Sequence, residues 1–338
     1  MILPDDIKET ISDTNIPWNE LKNNVILITG ATGTIGSALV RTLFAANKKY
    51  KLKIKILASG RDEQKAEPLV EKYGAKFYKQ DICVPFSISG NVDYIFHCAS
   101  TTQSVKMINN PVDVINVSID GTRNILEFAK SKQVKSVVYL SSMEVYGQCI
   151  RGEVTENDLG YLDLTNPRSS YPESKRLCEA LCSAYCVQYG VPVKSARLAQ
   201  TFGAGTLKDD TRVFAQFARS VIAGEDIILH TEGKSRGNYC YITDAVRALF
   251  TLLLKGENGH SYNIANPAAS MTIREMAELV AGKFGVNVRV EIPANSQKLG
   301  YAPESGYVLN IDKIAGLGWK PRYDLEQMYE RLVCDWRP

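Results

Sequence analysis

No stretch of this chain is apolar for long enough to cross a membrane as a helix. The longest greasy run, about Ala248 to Leu254, falls far short of the ~20 residues that a span needs. Met1 to Asp6 lack a basic stretch followed by a long apolar one, so no secretory leader is expected and a cytoplasmic location is. There is no Lys/Arg tract. With 40 basic and 37 acidic residues dispersed along the chain, the net charge is only +3, which argues against a nucleic-acid partner. None of the eight cysteines forms a CxxC pair. Cys178, Cys182 and Cys186 share one face of a helix, but no histidine or further cysteine lies nearby in sequence to complete a ligand set. No metal site is expected, and the stripe reads as small apolar side chains packed on a neighbour. The remaining cysteines are dispersed, as free thiols in a reducing compartment are. Internal repeats and low-complexity segments are absent as well.

What is present is a core-forming alternation. Of the 338 residues, 45% are apolar, enough for one large domain or two lobes sharing one body. Strands are expected at Val25–Thr29, Lys53–Ala58, Lys76–Tyr78, Tyr94–Cys98, Val137–Ser141 and Val193–Arg197. Helices are expected at Ser37–Ala46, Pro68–Tyr73, Ile115–Ser131 and Pro172–Tyr189, the last ended by Gly190. Such spacing predicts an α/β fold with a parallel sheet covered on both faces. After about Gly203 the elements shorten, which predicts a smaller C-terminal lobe with some chain crossing back.

The first chemical motif is Thr29-Gly30-Ala31-Thr32-Gly33-Thr34-Ile35-Gly36, which follows a strand and opens a helix. Gly30 allows a tight turn, Gly33 a close approach to a pyrophosphate, and Gly36 close packing of helix on strand. The helix start offers unpaired N–H groups to phosphate. A dinucleotide is therefore expected here. The second strand ends Ala58-Ser59-Gly60-Arg61-Asp62, with no acid where NAD's ribose would want one. Gly60-Arg61 hints at NADP, while Asp62 could still turn inward, so NAD and NADP both stay open. Asp81 and Ile82 follow the third strand, where a side chain could cap the adenine. His97, Cys98, Ala99 and Ser100 end the fourth, beside the pyrophosphate. His97 reads as a packed strand-end histidine.

Tyr171 and Lys175 stand four apart at a helix start, on one face. A nearby ammonium and a positively charged nicotinamide would favour the tyrosinate, which could take a proton from a substrate hydroxyl as hydride leaves. Ser142, at the end of an upstream strand in Ser141-Ser142-Met143-Glu144-Val145-Tyr146-Gly147, would hydrogen-bond the same hydroxyl.

With these elements in order, the chain resembles the extended short-chain dehydrogenases that include nucleotide-sugar 4-epimerases, 4,6-dehydratases and glucuronate decarboxylases. Asn116-Val117 with Gly121-Thr122 and Asn124, Tyr262-Asn263-Ile264, and Gly318-Trp319-Lys320-Pro321 also resemble family landmarks. The resemblance covers nearly everything from about Asn24. It implies a Rossmann domain at 23–202 after an extension at 1–22. Residues 203–338 would form mainly a substrate-binding lobe. It further implies a nucleotide-diphosphate sugar as substrate, a homodimer pairing through the helix from Pro172 that bears the cysteine face, and a place in surface-polysaccharide sugar synthesis. Ser142, Tyr171 and Lys175 would be the catalytic triad, with Asn116, Tyr171 and Lys175 also at the cofactor. Arg236 would bind the substrate's diphosphate, and Arg212 and Gln200 would join the substrate site.

Glu144 is the informative position. By the resemblance, dehydratases and decarboxylases carry Glu there, as a base towards C5 or an orienting group, whereas simple 4-epimerases usually carry a small neutral residue. Met143 stands where some dehydratases have the acid that expels water, and it has no proton to give. Gln200 replaces the family's usual Asn, which points to an atypical pocket. The expected enzyme works through a 4-keto sugar with internal redox, decarboxylating, dehydrating or epimerising. An alternative is an NADPH-dependent 4-keto-sugar reductase, supported by Arg61. A second is a non-catalytic NADP-sensing protein, which the intact Ser142, Tyr171 and Lys175 oppose.

Overall fold

The apolar runs become the strands of one sheet. In chain order they are β1 (Val25–Thr29), β2 (Lys55–Gly60), β3 (Lys76–Lys79), β4 (Tyr94–His97) and β5 (Ser136–Ser142). The short β6 (Glu153–Val154) precedes β7 (Val193–Leu198), β8 (Gln200–Phe202), β9 (Ile227–Leu229) and β10 (Arg236–Tyr241). Then come β11 (Ser261–Ile264), β12 (Asn266–Thr272), β13 (Val288–Val290) and β14 (Val308–Leu309). The computed structural model describes residues 3–148, 152–292 and 306–337. In it the central sheet has seven strands in the order β11-β7-β5-β4-β1-β2-β3, every pair parallel.

Side chains alternate between the two faces of this sheet, as a strand's period of two requires. Ile26, Ile28, Ala58, Phe96 and Leu140 face one core, shared with helices α2 (Thr34–Tyr50) and α8 (Ile242–Lys255). Leu27, Leu57, Ile95 and Tyr139 face the other, shared with α5 (Pro111–Lys132) and α6 (Ser170–Tyr189). The sheet is thus a Rossmann-like α/β layer buried on both sides. Cys178 and Cys182 are buried in that second core, and the Cys178 thiol donates to the Ser118 carbonyl at 3.1 Å. The cysteine stripe therefore packs inward and is not a surface for pairing with another chain.

Several expected boundaries move, each for a local reason. The first helix begins at Thr34, next to the glycine loop, and runs to Tyr50. Lys51 and Lys53 both take positive φ, forming a turn that delays the next strand to Lys55. Pro68 does not open its helix. The Asp62 side chain accepts from the Lys65 N–H at 3.1 Å and starts α3 (Glu63–Glu71) five residues earlier.

The C-terminal part builds a three-stranded sheet, β12-β10-β8, backed by α7 (Val213–Ala223), α9 (Ile273–Phe284) and α11 (Leu325–Trp336). Phe202, Phe214, Tyr239 and Tyr329 pack ring against ring inside it. From this lobe α8 returns beneath the central sheet and β11 joins the sheet's edge beside β7. The first residues are woven in too. After α1 (Pro4–Ile11), Ile16, Trp18 and Leu21 are buried. The Asp13 carboxylate takes Arg247 at 2.7 Å and Arg322 at 2.9 Å.

Candidate active site

β1 lies between β2 and β4, where the strand order reverses, and ligands of open α/β sheets bind outside the strand ends at such a point. Gly30 turns there with φ +63°, and a Cβ on it would come within 2.8 Å of the Ala99 backbone. A Cβ on Gly36 would run into the Gly30 carbonyl oxygen. Only glycine lets the strand exit, the helix start and the Cys98–Ser100 segment close on one another. Gly33 caps α2 without any side-chain hydrogen bond, and the first turn carries no acid. The N–H groups of Thr34, Ile35 and Gly36 are thus left to a ligand, with Thr32 beside them. The buried Ser100 Oγ also has no partner among the described residues. This cradle fits the pyrophosphate of a dinucleotide.

Around the cradle, Arg61 is exposed and the Asp62 carboxylate is engaged as the α3 cap. Asp81 is exposed and accepts from Cys83 N–H at 2.9 Å. Ile82 packs where a Gly121 Cβ would stand, and its carbonyl takes the Asn124 amide at 2.9 Å. Asn116 is exposed on α5. Cys98 is held as a thiol by burial. His97 is 2% exposed, with Nδ1 2.8 Å from Thr29 Oγ1 and Nε2 3.4 Å from Thr122 Oγ1. Burial, then the nearby Lys175 charge, pushes its pKa down to about 3. It is a neutral packed imidazole.

At the C-terminal end of β5, Ser142 lies beside the Tyr171 phenol, and Ser142 Oγ accepts from the Glu144 N–H at 3.2 Å. Lys175 is 2% exposed and donates to the Leu140 carbonyl at 2.7 Å, and its Nζ lies 5.7 Å from the Tyr171 ring centre. Burial pulls the ammonium's pKa down to about 8. Burial, and then the Glu144 charge, raise the Tyr171 phenol above its ordinary value, against opposing effects of Ser142, Arg212 and Arg168.

Glu144 lies on the 3-10 turn Met143–Tyr146 and is gripped by Arg168, with Nη1 to Oε2 at 2.7 Å and Nη2 to Oε1 at 3.1 Å. Arg168 had not been singled out from the sequence. The available signal was a basic residue three before Tyr171, in the Asn166-Pro167 turn that leads into α6. The Met143 carbonyl accepts from Tyr307 Oη at 3.1 Å. Gln200, on β8, keeps a buried Oε1 with no partner among the described residues. Arg212 caps α7, pairs with Asp210 at 2.6 Å and lies over the Phe214 ring at 4.6 Å. Arg236 starts β10 and donates to the Ser270 carbonyl at 2.8 Å. Ser142, Glu144, Arg168 and Arg212 therefore surround the Tyr171 phenol, with Lys175 below its ring, while Gln200 and Arg236 belong to the adjoining lobe sheet.

Beneath the cleft, Glu179 on α6 joins three strands. It takes Arg197 at 2.7 Å, Ser141 Oγ at 2.5 Å and Ser261 Oγ at 2.8 Å. This ties β5, β7 and β11 to the helix that carries Tyr171 and Lys175.

A family model described as the NAD dependent epimerase/dehydratase family matches residues 26–265. UDP-glucuronic acid decarboxylase 6 of Arabidopsis thaliana is 28% identical over 317 residues, covering 93% of this chain and 89% of that one. UDP-glucuronic acid decarboxylase 1 of Danio rerio is 28% identical, covering 91% and 71%. Among solved structures, a UDP-glucose 4-epimerase of Thermotoga maritima with UDP-glucose matches at TM-score 0.79 and 22% identity, covering 92% and 98%. A dTDP-glucose 4,6-dehydratase of Streptomyces venezuelae with NAD bound matches at TM-score 0.79 and 23% identity, covering 92% and 96%.

Proposed function

This chain belongs to the NAD dependent epimerase/dehydratase family, and from that premise we propose an enzyme that oxidises a nucleotide-linked sugar at C4 and acts on the resulting ketone. Its favoured reaction is decarboxylation of a nucleoside diphosphate hexuronic acid. The observation that carries this reading is the Glu144 carboxylate beside Ser142 and Tyr171. Met143 beside it has no proton to expel a hydroxyl as water, which favours decarboxylation over 4,6-elimination. The 28% identity to UDP-glucuronic acid decarboxylases supports the same order.

A bound nicotinamide dinucleotide supplies the hydride acceptor and returns the hydride. The chain supplies the rest. A substrate hydroxyl entering between Ser142 and Tyr171 would pass its proton to Tyr171, ionised under the charges of Lys175 and a bound nicotinamide, and Tyr171 would return that proton when the hydride returns. Lys175 holds positive charge under this site and, freed from Leu140, would reach the dinucleotide's ribose. Glu144 orients the sugar at C5 or moves a proton there. Arg236, Arg212 and Gln200 bind the diphosphate and sugar, and the orphaned Gln200 Oε1 suits a substrate donor.

Arg61 beside Gly60, with Asp62 engaged as a helix cap, favours the 2′-phosphate of NADP over the bare ribose of NAD. Arg61 also supports the second reading, a 4-keto-sugar reductase using NADPH. Among the described residues no helix is long and apolar enough to cross a membrane, and a cytoplasmic homodimer fits the reading. The side of α6 open for pairing carries Leu177 and Val187, 47% and 85% exposed, opposite the buried cysteines.

Mass spectrometry of the dinucleotide released on heating, followed by turnover of UDP-glucuronic acid, tests the proposal. Stoichiometric NAD⁺ or NADP⁺ with loss of CO₂ is expected, and Tyr171→Phe is expected to keep the dinucleotide and lose turnover. An active Tyr171→Phe protein would overturn the mechanism. An empty site that takes up NADPH would favour the reductase.

A further inference from the structure

Arg168 reaches the cleft from a turn built independently of it. The Asp163 carboxylate accepts from Thr165 N–H at 2.9 Å and from its hydroxyl at 2.7 Å. Ser169 Oγ donates to the Asp163 carbonyl at 2.6 Å, and Asn166 Oδ1 accepts from the Arg168 N–H at 3.0 Å. The backbone that presents Arg168 is therefore set by its own neighbours. From there the side chain crosses to a different element, the turn after β5, and meets both oxygens of Glu144. The Arg168 side chain is well covered, at 13% exposure, against 29% for Glu144. Its buried Nε has no acceptor among the described residues, so both contacts it makes to a carboxylate go to Glu144.

A glutamate on a short turn has three freely rotating bonds, and a single contact would leave its head mobile. A two-point fork fixes both the position and the plane of the carboxylate, a geometry that arginine supplies and lysine does not. A partly buried pair of this kind is weak evidence for a stabilising role, because desolvation offsets most of the attraction. Its location is specific instead. Both charges act on the Tyr171 phenol, with opposite sign.

We propose that Arg168 is a positioning residue for the reaction, its guanidinium fork setting the direction in which the Glu144 carboxylate faces the cleft beside Tyr171. The inference rests on the reading of Glu144 as the group that acts on the oxidised sugar.

The test uses the full-length protein with its own bound dinucleotide and UDP-glucuronic acid as probe. Arg168→Gln is expected to lower kcat roughly 100-fold, the scale of an ångström-size misplacement, with KM little changed and bound dinucleotide retained. Arg168→Lys recovers part of the loss. Guanidinium ion added to Arg168→Ala recovers part as well, which a purely structural lesion would not allow. The double variant Arg168→Gln with Glu144→Gln is no slower than Glu144→Gln alone. A raised KM at unchanged kcat, or a double variant that loses the product of the two single losses, would overturn the inference. If Arg168→Gln does not fold, the Lys variant and the guanidinium rescue carry the test, and absence of both effects overturns it. The two readings fail separately. Full activity in Glu144→Gln defeats the role of Glu144 itself. An inactive Glu144→Gln beside a normal Arg168→Gln defeats only the role of Arg168.

Discussion

Lys175 points its ammonium at the Leu140 carbonyl, 2.7 Å away, and not at the hydroxyl of Tyr171 one helical turn before it. The site holds a buried positive charge between that carbonyl and the face of the Tyr139 ring, 4.7 Å away. Burial lowers its pKa from 10.5 to about 8, a difference of about 3 kcal/mol. Since the folded pKa lies below the unfolded one, the cost is full below about pH 8 and fades as pH rises towards the unfolded value. Lys175→Met should therefore stabilise the fold at pH 7 by about 2 kcal/mol after allowing for the lost hydrogen bond, and the gain should shrink by pH 10. Denaturant titrations at both pH values check this. Turnover should vanish in the same variant, separating stability from activity at one side chain.

Gly36→Ala should damage the cofactor cradle without touching any catalytic group. The new methyl would meet the Gly30 carbonyl oxygen, a backbone atom that cannot swing away. A loss of about 1–3 kcal/mol is expected from overpacking, together with at least about a tenfold loss of dinucleotide affinity as the phosphate-facing N–H groups shift. Calorimetric titration with NAD⁺ and NADP⁺ reads the second effect, and unchanged affinity would contradict the assignment of this loop.

Asp13 makes an acid-sensitive lock between the two ends of the chain. Burial alone would raise its pKa, but the Arg247 hydrogen bond, the Asn15 N–H and the charges of Arg247 and Arg322 bring it below the usual carboxylate range. A depressed folded pKa means stability that is present above the unfolded value and lost as pH falls through the folded one. Asp13→Asn leaves the 4% exposed Arg247 without one of its two carboxylates, and should cost about 3–5 kcal/mol. Thermal unfolding at pH 7 and at a pH below the ordinary carboxylate value of 3.8 should show the deficit shrinking at the lower pH.

Arg61→Glu should reverse the preference between dinucleotides. If Arg61 meets a 2′-phosphate, NADP⁺ affinity should fall by at least about tenfold, or 1.4 kcal/mol, while NAD⁺ affinity holds or rises. Equal effects on both would show that Arg61 serves neither.

The glycine loop and the parallel sheet were legible in the sequence because both are local signals. A strand's period and a glycine's missing side chain need no distant partner to be seen. The same holds for Tyr171 and Lys175, whose spacing alone sets them on one helical face. The rest was hidden because it depends on pairs far apart in sequence. Asp13 meets Arg247 and Arg322 only after the chain has closed on itself, so the first residues resemble a loose extension. Arg168 meets Glu144 across 24 positions, with nothing in either segment to announce the other. The Leu140 carbonyl that takes the Lys175 ammonium lies 35 positions upstream, and a sequence does not display it. Pro68 misled for a simpler reason. Its ring is tolerated inside a helix that Asp62 had already started.

The path of β11 constrains how such an enzyme can change its substrate. The strand follows the lobe segment that contains β9 and β10, yet it hydrogen-bonds to β7 as the edge of the nucleotide-binding sheet. A single recombination joint after β8 would therefore import a foreign edge strand along with the new lobe. The incoming strand would have to match Ser195 to Leu198 in register and supply a hydroxyl to Glu179 where Ser261 now stands. Lobe exchange between relatives needs paired joints on either side of residues 261–264, and drift in substrate preference is easier by point substitution within the lobe than by trading it whole.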